Sequence, residues 1–415
     1  MSHLSSMSSS GTVRLSDTLP PLIFGTATFN FQFNPDPYAL PTTHLVHRAL
    51  ALGVRAFDTS PYYGPAEELL GAALDTEHVR SNYPRNSYHL LTKVGRIAAD
   101  EFDYSPGWVR YSVKRSLARL CTEYLDVVYC HDVEFVSSSE VLEAVRELRR
   151  IRDEDGTIKF VGISAYPLMA LRNMAEIVYR ETGESLDAAM SYGHYTLQNT
   201  KLLTKGVPQL LARGIEVVPN ASPLGMGLLR QQGVPVGAMG NWHPAPDGLR
   251  KAVRRASNWT DKHAKKLETI AVYYALEDWL RNGGDVGTRG DPIPPHADRA
   301  RSARPSSGKL GISVIGVSRL QELEETMRIW HSVIDGLGDD PQMQTDLRTS
   351  SDGSQGDDWN FQRRQHIRKL AEGVREAIGQ YKDYSWESPP KNFVNRRELK
   401  NAEKLGNGAL ENSSS

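Results

Sequence analysis

Little in this chain of 415 residues suggests export, a disulfide scaffold or a polyanionic partner. Cysteine occurs only at Cys121 and Cys130, with no metal-ligand grouping around them. That scarcity argues against a disulfide framework and a zinc site and fits a reducing compartment. No apolar run approaches the ~18 residues a membrane helix needs, and the opening MSHLSSMSSSGTVRLSDT lacks the apolar core of a signal peptide. A soluble cytoplasmic protein without a membrane partner is therefore expected. Lys and Arg number 49 against 50 Asp and Glu, so no charge excess draws the chain to nucleic acid. No internal repeat is evident, and no G-x-G-x-x-G follows a strand, which argues against a Rossmann module.

What is present is alternation. Short apolar or β-branched runs at 22–28, 54–60, 89–95, 125–131, 159–165, 188–193, 215–223 and 312–318 are separated by helical patterns. Parallel strands need long crossovers, so eight such runs predict an α/β (β/α)8 TIM barrel. One helix begins at Pro106, and a serine-capped one follows in SSSEVLEAVRELRRIRDE. Residues 1–18 are expected to be a disordered N-terminus, 19–335 the barrel, 336–390 a C-terminal extension with a helix near 360–381, and 391–415 a disordered tail. Residues 231–258 read as an irregular loop before a helix over 260–282. The stretch 283–310, rich in Gly, Pro, Arg and Ser, reads as a disordered insertion, and 346–358 as a second polar interruption.

Chemistry in such a barrel gathers at the C-terminal ends of the strands. Asp58, Lys93, His131, Ser164, Ser191 and Ser222 fall at or near six of those ends. A lysine closing the apolar run HLLTKV must reach water or meet an opposite charge, and Asp58 on the preceding strand can supply one. Tyr63, five residues past Asp58, can reach the same point, where a neighbouring cation is expected to bring its phenol down toward a usable acid or base. His131 can donate or accept a hydrogen bond from the other side. Tyr62 reads as packing. No metal is called for.

In the order Asp, Tyr, Lys, His these residues resemble the tetrad of the aldo-keto reductase family. FDTSPYYGPAE resembles its D-T-x-x-x-Y-G-x-x-E signature, LLTKVG its lysine strand, and SVKRSLARLCTEYLDVVYCH its histidine-strand signature. GTIKFVGIS and ASPLGMGLL resemble its fifth-strand and seventh-strand motifs, and the likeness spans about residues 20–335. TKVGRIAADEFDYS, HDVEFV, GISAYP and LQNTKLL resemble the branch that oxidises the anomeric carbon of an aldose to a lactone. The resemblance implies catalysis by Asp58, Tyr63, Lys93 and His131, with a small D-arabinose-like aldose as partner and erythroascorbate synthesis as the setting.

It also implies a nicotinamide dinucleotide laid across the barrel mouth. Gly25 and Thr26 would lie beneath the nicotinamide, with Asp58, Ser164 and Ser191 near it. Ala165 stands where the family usually has asparagine, and Tyr192 could supply a ring contact. Ser222, Leu224 and Gly227 would hold the pyrophosphate, and Ser318, Arg319, Glu322 and Glu325 the adenosine. A carboxylate at Glu322 would repel a 2′-phosphate and favour NAD, while Arg319 leaves NADP open. Asp132, Glu134 and Trp108 are candidates for the sugar, beside Tyr63 and His131. Two other readings stay open: an NADPH-dependent aldehyde or pyridoxal reductase, and a cofactor-bound regulatory subunit without turnover.

Overall fold

The computed structural model describes residues 13–235, 240–292, 308–338 and 361–397. Its centre is a closed barrel of eight parallel strands in sequential order. These are β1 Leu22–Gly25, β2 Ala56–Asp58, β3 His89–Val94, β4 Leu125–His131, β5 Ile158–Ala165, β6 Ala188–Tyr192, β7 Asn220–Ala221 and β8 Ser313–Gly316. The pleat sends alternate residues inward. Ile23, Leu91, Val127, Tyr129, Met190 and Val314 fill the interior, whereas Val128, Val161, Ile163 and Ala189 face the surrounding helices. The capped helix begins as the sequence predicts: Ser137 accepts from the Glu140 backbone, and the Glu140 carboxylate accepts from the Ser137 N–H.

Several expectations change. Of the N-terminus expected to be disordered, residues 1–12 lie outside the described residues, but Leu15–Thr18 form a helical turn. Leu15 and Leu19 are buried in the same apolar cluster as the barrel interior, closing its lower end. The reason is apolar burial that the serine-rich context hides. In 231–258, residues 236–239 lie outside the description, but Asp247–Lys262 is helical. Leu249, Ala252, Val253 and Ala256 form its buried stripe. The seventh strand shrinks to two residues because Pro219, without an N–H, cannot extend the ladder.

The insertion expected over 283–310 is ordered at both margins, while 293–307 lie outside the described residues. Gly284–Val286 form a helical turn, Thr288 pairs with Leu310, and the Arg289 N–H donates to the Ser16 carbonyl at 2.7 Å. The interruption at 346–358 lies outside the description.

Helices Asp247–Lys262, Leu267–Asn282 and Phe361–Ile378 build a second apolar cluster with Leu197, Leu229 and Trp386. Gly373 lets two of them approach: a Cβ there would lie 2.3 Å from the Trp259 ring. The tail expected from 391 also differs, with 398–415 outside the description. Phe393 packs on Phe102 and Phe135, and the Asn395 amide brackets the Phe102 backbone, accepting from its N–H at 3.0 Å and donating to its carbonyl at 3.1 Å.

Candidate active site

Strand register brings three of the tetrad residues to the upper rim, and the loop after β2 carries the fourth, Tyr63. Asp58 pairs with Leu91, Lys93 with Tyr129 and His131 with Ser164, all on the inward parity of the pleat. Lys93 Nζ donates to both Asp58 oxygens at 2.7 and 2.9 Å and to the Thr59 carbonyl at 2.9 Å. The pair is almost wholly buried, at 2% and 4% exposed, so each charge is tolerable only because of the other. Burial acts to lower the Lys93 pKa, but Asp58 and Tyr63 outweigh it and hold the ammonium above its ordinary range.

The ammonium lies 4.9 Å from the Tyr63 ring centroid, and that ring stands at 90° to the His131 imidazole, 5.7 Å away. Burial pushes the Tyr63 phenol up to about 12, against the downward pull of Lys93. The expectation that the lysine brings the phenol toward neutrality is therefore corrected, because desolvation of a phenolate costs more than one cation returns. His131 is neutral: burial, assisted by Lys93 and Arg96 and opposed by Asp132, lowers it to about 3.

Beside His131 stands a polar wall of which the sequence reading named Asp132, Glu134 and Tyr192 but not Arg96. Asp132, with φ of 56°, is buried and bonded to Arg96 and to the Tyr192 hydroxyl, the latter at 3.2 Å. Arg96 also donates to the Tyr62 hydroxyl at 3.2 Å and lies 3.9 Å from the centroid of the same ring. Tyr62, expected to be packing, thus carries a polar contact. An arginine directly after the glycine that ends LLTKVG was the available signal. Glu134 is half-buried behind this wall, its Oε1 accepting from the Tyr166 N–H at 3.1 Å and the Ser388 hydroxyl at 2.9 Å. Burial, then the charge of Asp132, raises it to about 8. Asp132 is taken up by Arg96 and Tyr192, which weakens its expected part in holding a sugar, whereas Glu134 spends only Oε1 on protein donors and its Oε2 has no hydrogen-bond partner among the described residues. Trp108 is not brought to the mouth by any ring contact: its partners are Tyr111 and Arg115 on its own helix.

The residues expected to hold a cofactor divide. Gly25 ends β1 on the inward parity, where an added Cβ would meet Val314 at 3.2 Å, and Thr26 donates to the Asp58 carbonyl at 3.1 Å. Ser164 faces inward, and its buried hydroxyl has no hydrogen-bond partner among the described residues. Such an orphan suits a ligand amide. Ser191 has the outward parity of Ala189, so its equally unpartnered hydroxyl lies on the helix side, and Tyr192 is the residue turned inward.

Ser222, Gly225, Met226 and Gly227 all have positive φ, between 57° and 92°. Left-handed turns of this kind gather backbone N–H groups into an anion-binding concavity, and His243 Nε2 pins the loop through the Gly225 carbonyl at 2.9 Å. Leu224 packs against both helical clusters. At the adenosine segment, Glu322 accepts from the Ser318 N–H at 2.9 Å, and Arg319 and Glu325 are exposed. The orphan at Ser164 and the left-handed loop fit an amide at one end and a diphosphate at the other.

A family model described as Aldo/keto reductase family matches residues 21–336, and the chain belongs to that family. It is an oxidoreductase of a class that works with NAD(P)(H). The chain is 41% identical over 268 residues to D-arabinose 1-dehydrogenase of Saccharomyces cerevisiae, covering 64% of this chain and 78% of that protein. It is 37% identical over 234 residues to L-galactose dehydrogenase of Arabidopsis thaliana, covering 56% and 68%. Among solved structures, a glycerol dehydrogenase from Gluconobacter oxydans shares the fold, with a TM-score of 0.53 at 18% identity over 90% of this chain and 95% of that one. Among the described residues, no helix is long and apolar enough to cross a membrane.

Proposed function

We propose that this chain oxidises the anomeric carbon of a D-arabinose-like aldose to the aldonolactone, with NAD preferred over NADP, in the service of erythroascorbate synthesis. The observation that carries the reading is the buried Asp58–Lys93 pair beside Tyr63 and His131. The two sugar dehydrogenases among its relatives support the substrate class. The wall beside His131 supports a neutral polyol over an anion, since the charge of Arg96 is already matched by Asp132.

In this reading Tyr63, as phenolate, takes the proton of the C1 hydroxyl, and Lys93 stabilises that phenolate. Asp58 keeps Lys93 charged and in place, and His131 orients the reacting oxygen. A bound nicotinamide dinucleotide would supply the acceptor for the hydride from C1. Ser164 would hold its amide, the 222–227 loop its diphosphate, and Ser318 with Glu322 its adenosine end. The capping contact from Ser318 fixes the Glu322 carboxylate at the start of its helix, which supports the preference for a ribose 2′-hydroxyl over a 2′-phosphate.

The test is a panel of aldoses and aldehydes assayed with both cofactors. Aldose oxidation favouring NAD is expected, and Glu322→Arg should move the preference toward NADP by about tenfold. Turnover of aldehydes with NADPH alone would replace the aldose reading, and cofactor binding without turnover of any substrate would replace it with a regulatory role.

A further inference from the structure

Ser60 lies two residues past Asp58, wholly buried, with a hydroxyl that touches two polar groups. The Tyr62 N–H is 3.2 Å away and can only donate, and Nδ1 of His131 is 3.0 Å away. A hydroxyl has one proton to give. Among the described contacts of Ser60, the acceptor for that proton is the Nδ1 lone pair. The opposite arrangement, with Nδ1 carrying a proton, would leave a buried hydroxyl proton with no acceptor among those contacts. The other ring nitrogen bears on the same choice independently. Nε2 lies 3.6 Å from Asp132 Oδ2, beyond hydrogen-bond length but close enough for charge to matter. A carboxylate repels a bare nitrogen lone pair and attracts an N–H. Arg96 and Tyr192 hold that carboxylate in place.

We propose that Ser60 and Asp132 are positioning residues that hold His131 as the neutral tautomer protonated on Nε2. On the aldose reading above, this N–H donates to the C1 hydroxyl oxygen while Tyr63 removes its proton. The O–H bond breaks with the proton going to the Tyr63 phenolate, the C1–H bond breaks with the hydride going to NAD(P)+, and the C1 carbonyl forms. His131 keeps its proton throughout. The low basicity of the buried ring makes tautomer, not charge, its variable.

The test is the 15N spectrum of protein labelled at histidine, with the His131 signals assigned by their loss in His131→Gln, read beside steady-state kinetics. In the wild type, Nε2 should be protonated and Nδ1 bare, unchanged between about pH 5.5 and pH 8.5. Ser60→Ala should bring in the Nδ1-protonated form and lower kcat for the aldose about tenfold, with cofactor affinity held within about twofold. Ser60→Thr, which keeps the hydroxyl, should restore both. A wild-type ring protonated on Nδ1, or a Ser60→Ala spectrum and kcat identical to wild type, overturns the assignment. The spectrum needs no substrate, so the expected tautomer without aldose turnover would sink the substrate reading and leave the positioning role standing.

Discussion

At the lower end of the barrel, Leu15 and Leu19 meet Val217 and Ile312 in one apolar cluster; at the upper end, the inward positions are Asp58, Lys93, His131 and Ser164. The same pleat produces both ends. The lower one is closed by the chain's own leucines, while the upper one retains a buried ion pair and an unpartnered hydroxyl. The contrast teaches that stability and chemistry are assigned to opposite ends of the strands, and it can be broken by variants that act at the wrong end.

The largest effect is expected for Tyr63→Phe. Turnover should fall about 10²–10⁴-fold, while melting temperature and cofactor Kd hold, because only the proton-transferring oxygen is removed. A melting shift as large as the activity loss would make the upper end structural too.

Next comes pH. The base is the phenolate and the phenol sits near 12, so kcat/KM for oxidation should climb about tenfold per unit from about pH 6 to pH 9. With His131 near 3, no histidine limb should appear in that range. An inflection between pH 6 and 7, lost in His131→Gln, would contradict the neutral ring.

Leu19→Ala probes the other end. Removing this fully buried side chain should cost about 2–5 kcal/mol of unfolding free energy, with kcat/KM changed less than about twofold. Equal losses of stability and of catalysis would mean that the two ends are coupled.

The smallest effect has two signs. Ser164→Ala removes an unsatisfied hydroxyl, so the protein without cofactor should gain up to about 1 kcal/mol. Cofactor Kd should weaken about three- to tenfold as the amide loses its partner. Unchanged affinity, measured by fluorescence titration, would take Ser164 out of the cofactor site.

The tetrad was legible because three of its members lie at the ends of recognisable strands and Tyr63 on the short loop after one of them, and a strand end has one location in a barrel. Arg96 and Asp132 follow two of the same strands, yet their pairing depends on a left-handed turn at Asp132 that no spacing announces. Ser191 was misplaced by a single step of the pleat, since the alternation had to be counted from Met190 to see that Tyr192 turns inward. The helix Asp247–Lys262 carried a readable stripe at Leu249, Ala252, Val253 and Ala256, obscured by the glycines and prolines just before it. The docking of residues 391–397 depends on long-range partners at Phe102 and Phe135, which local composition does not encode.

Phe102 waits for Asn395, 293 positions later in the chain. During synthesis the barrel strands are all complete by Gly316, long before that amide leaves the ribosome. The segment from Arg96 to Phe102, which also contributes Arg96 to the wall beside His131, can therefore complete these contacts only once Asn395 is free of the ribosome. All eight barrel strands are thus available for pairing before the last contact of the rim can form.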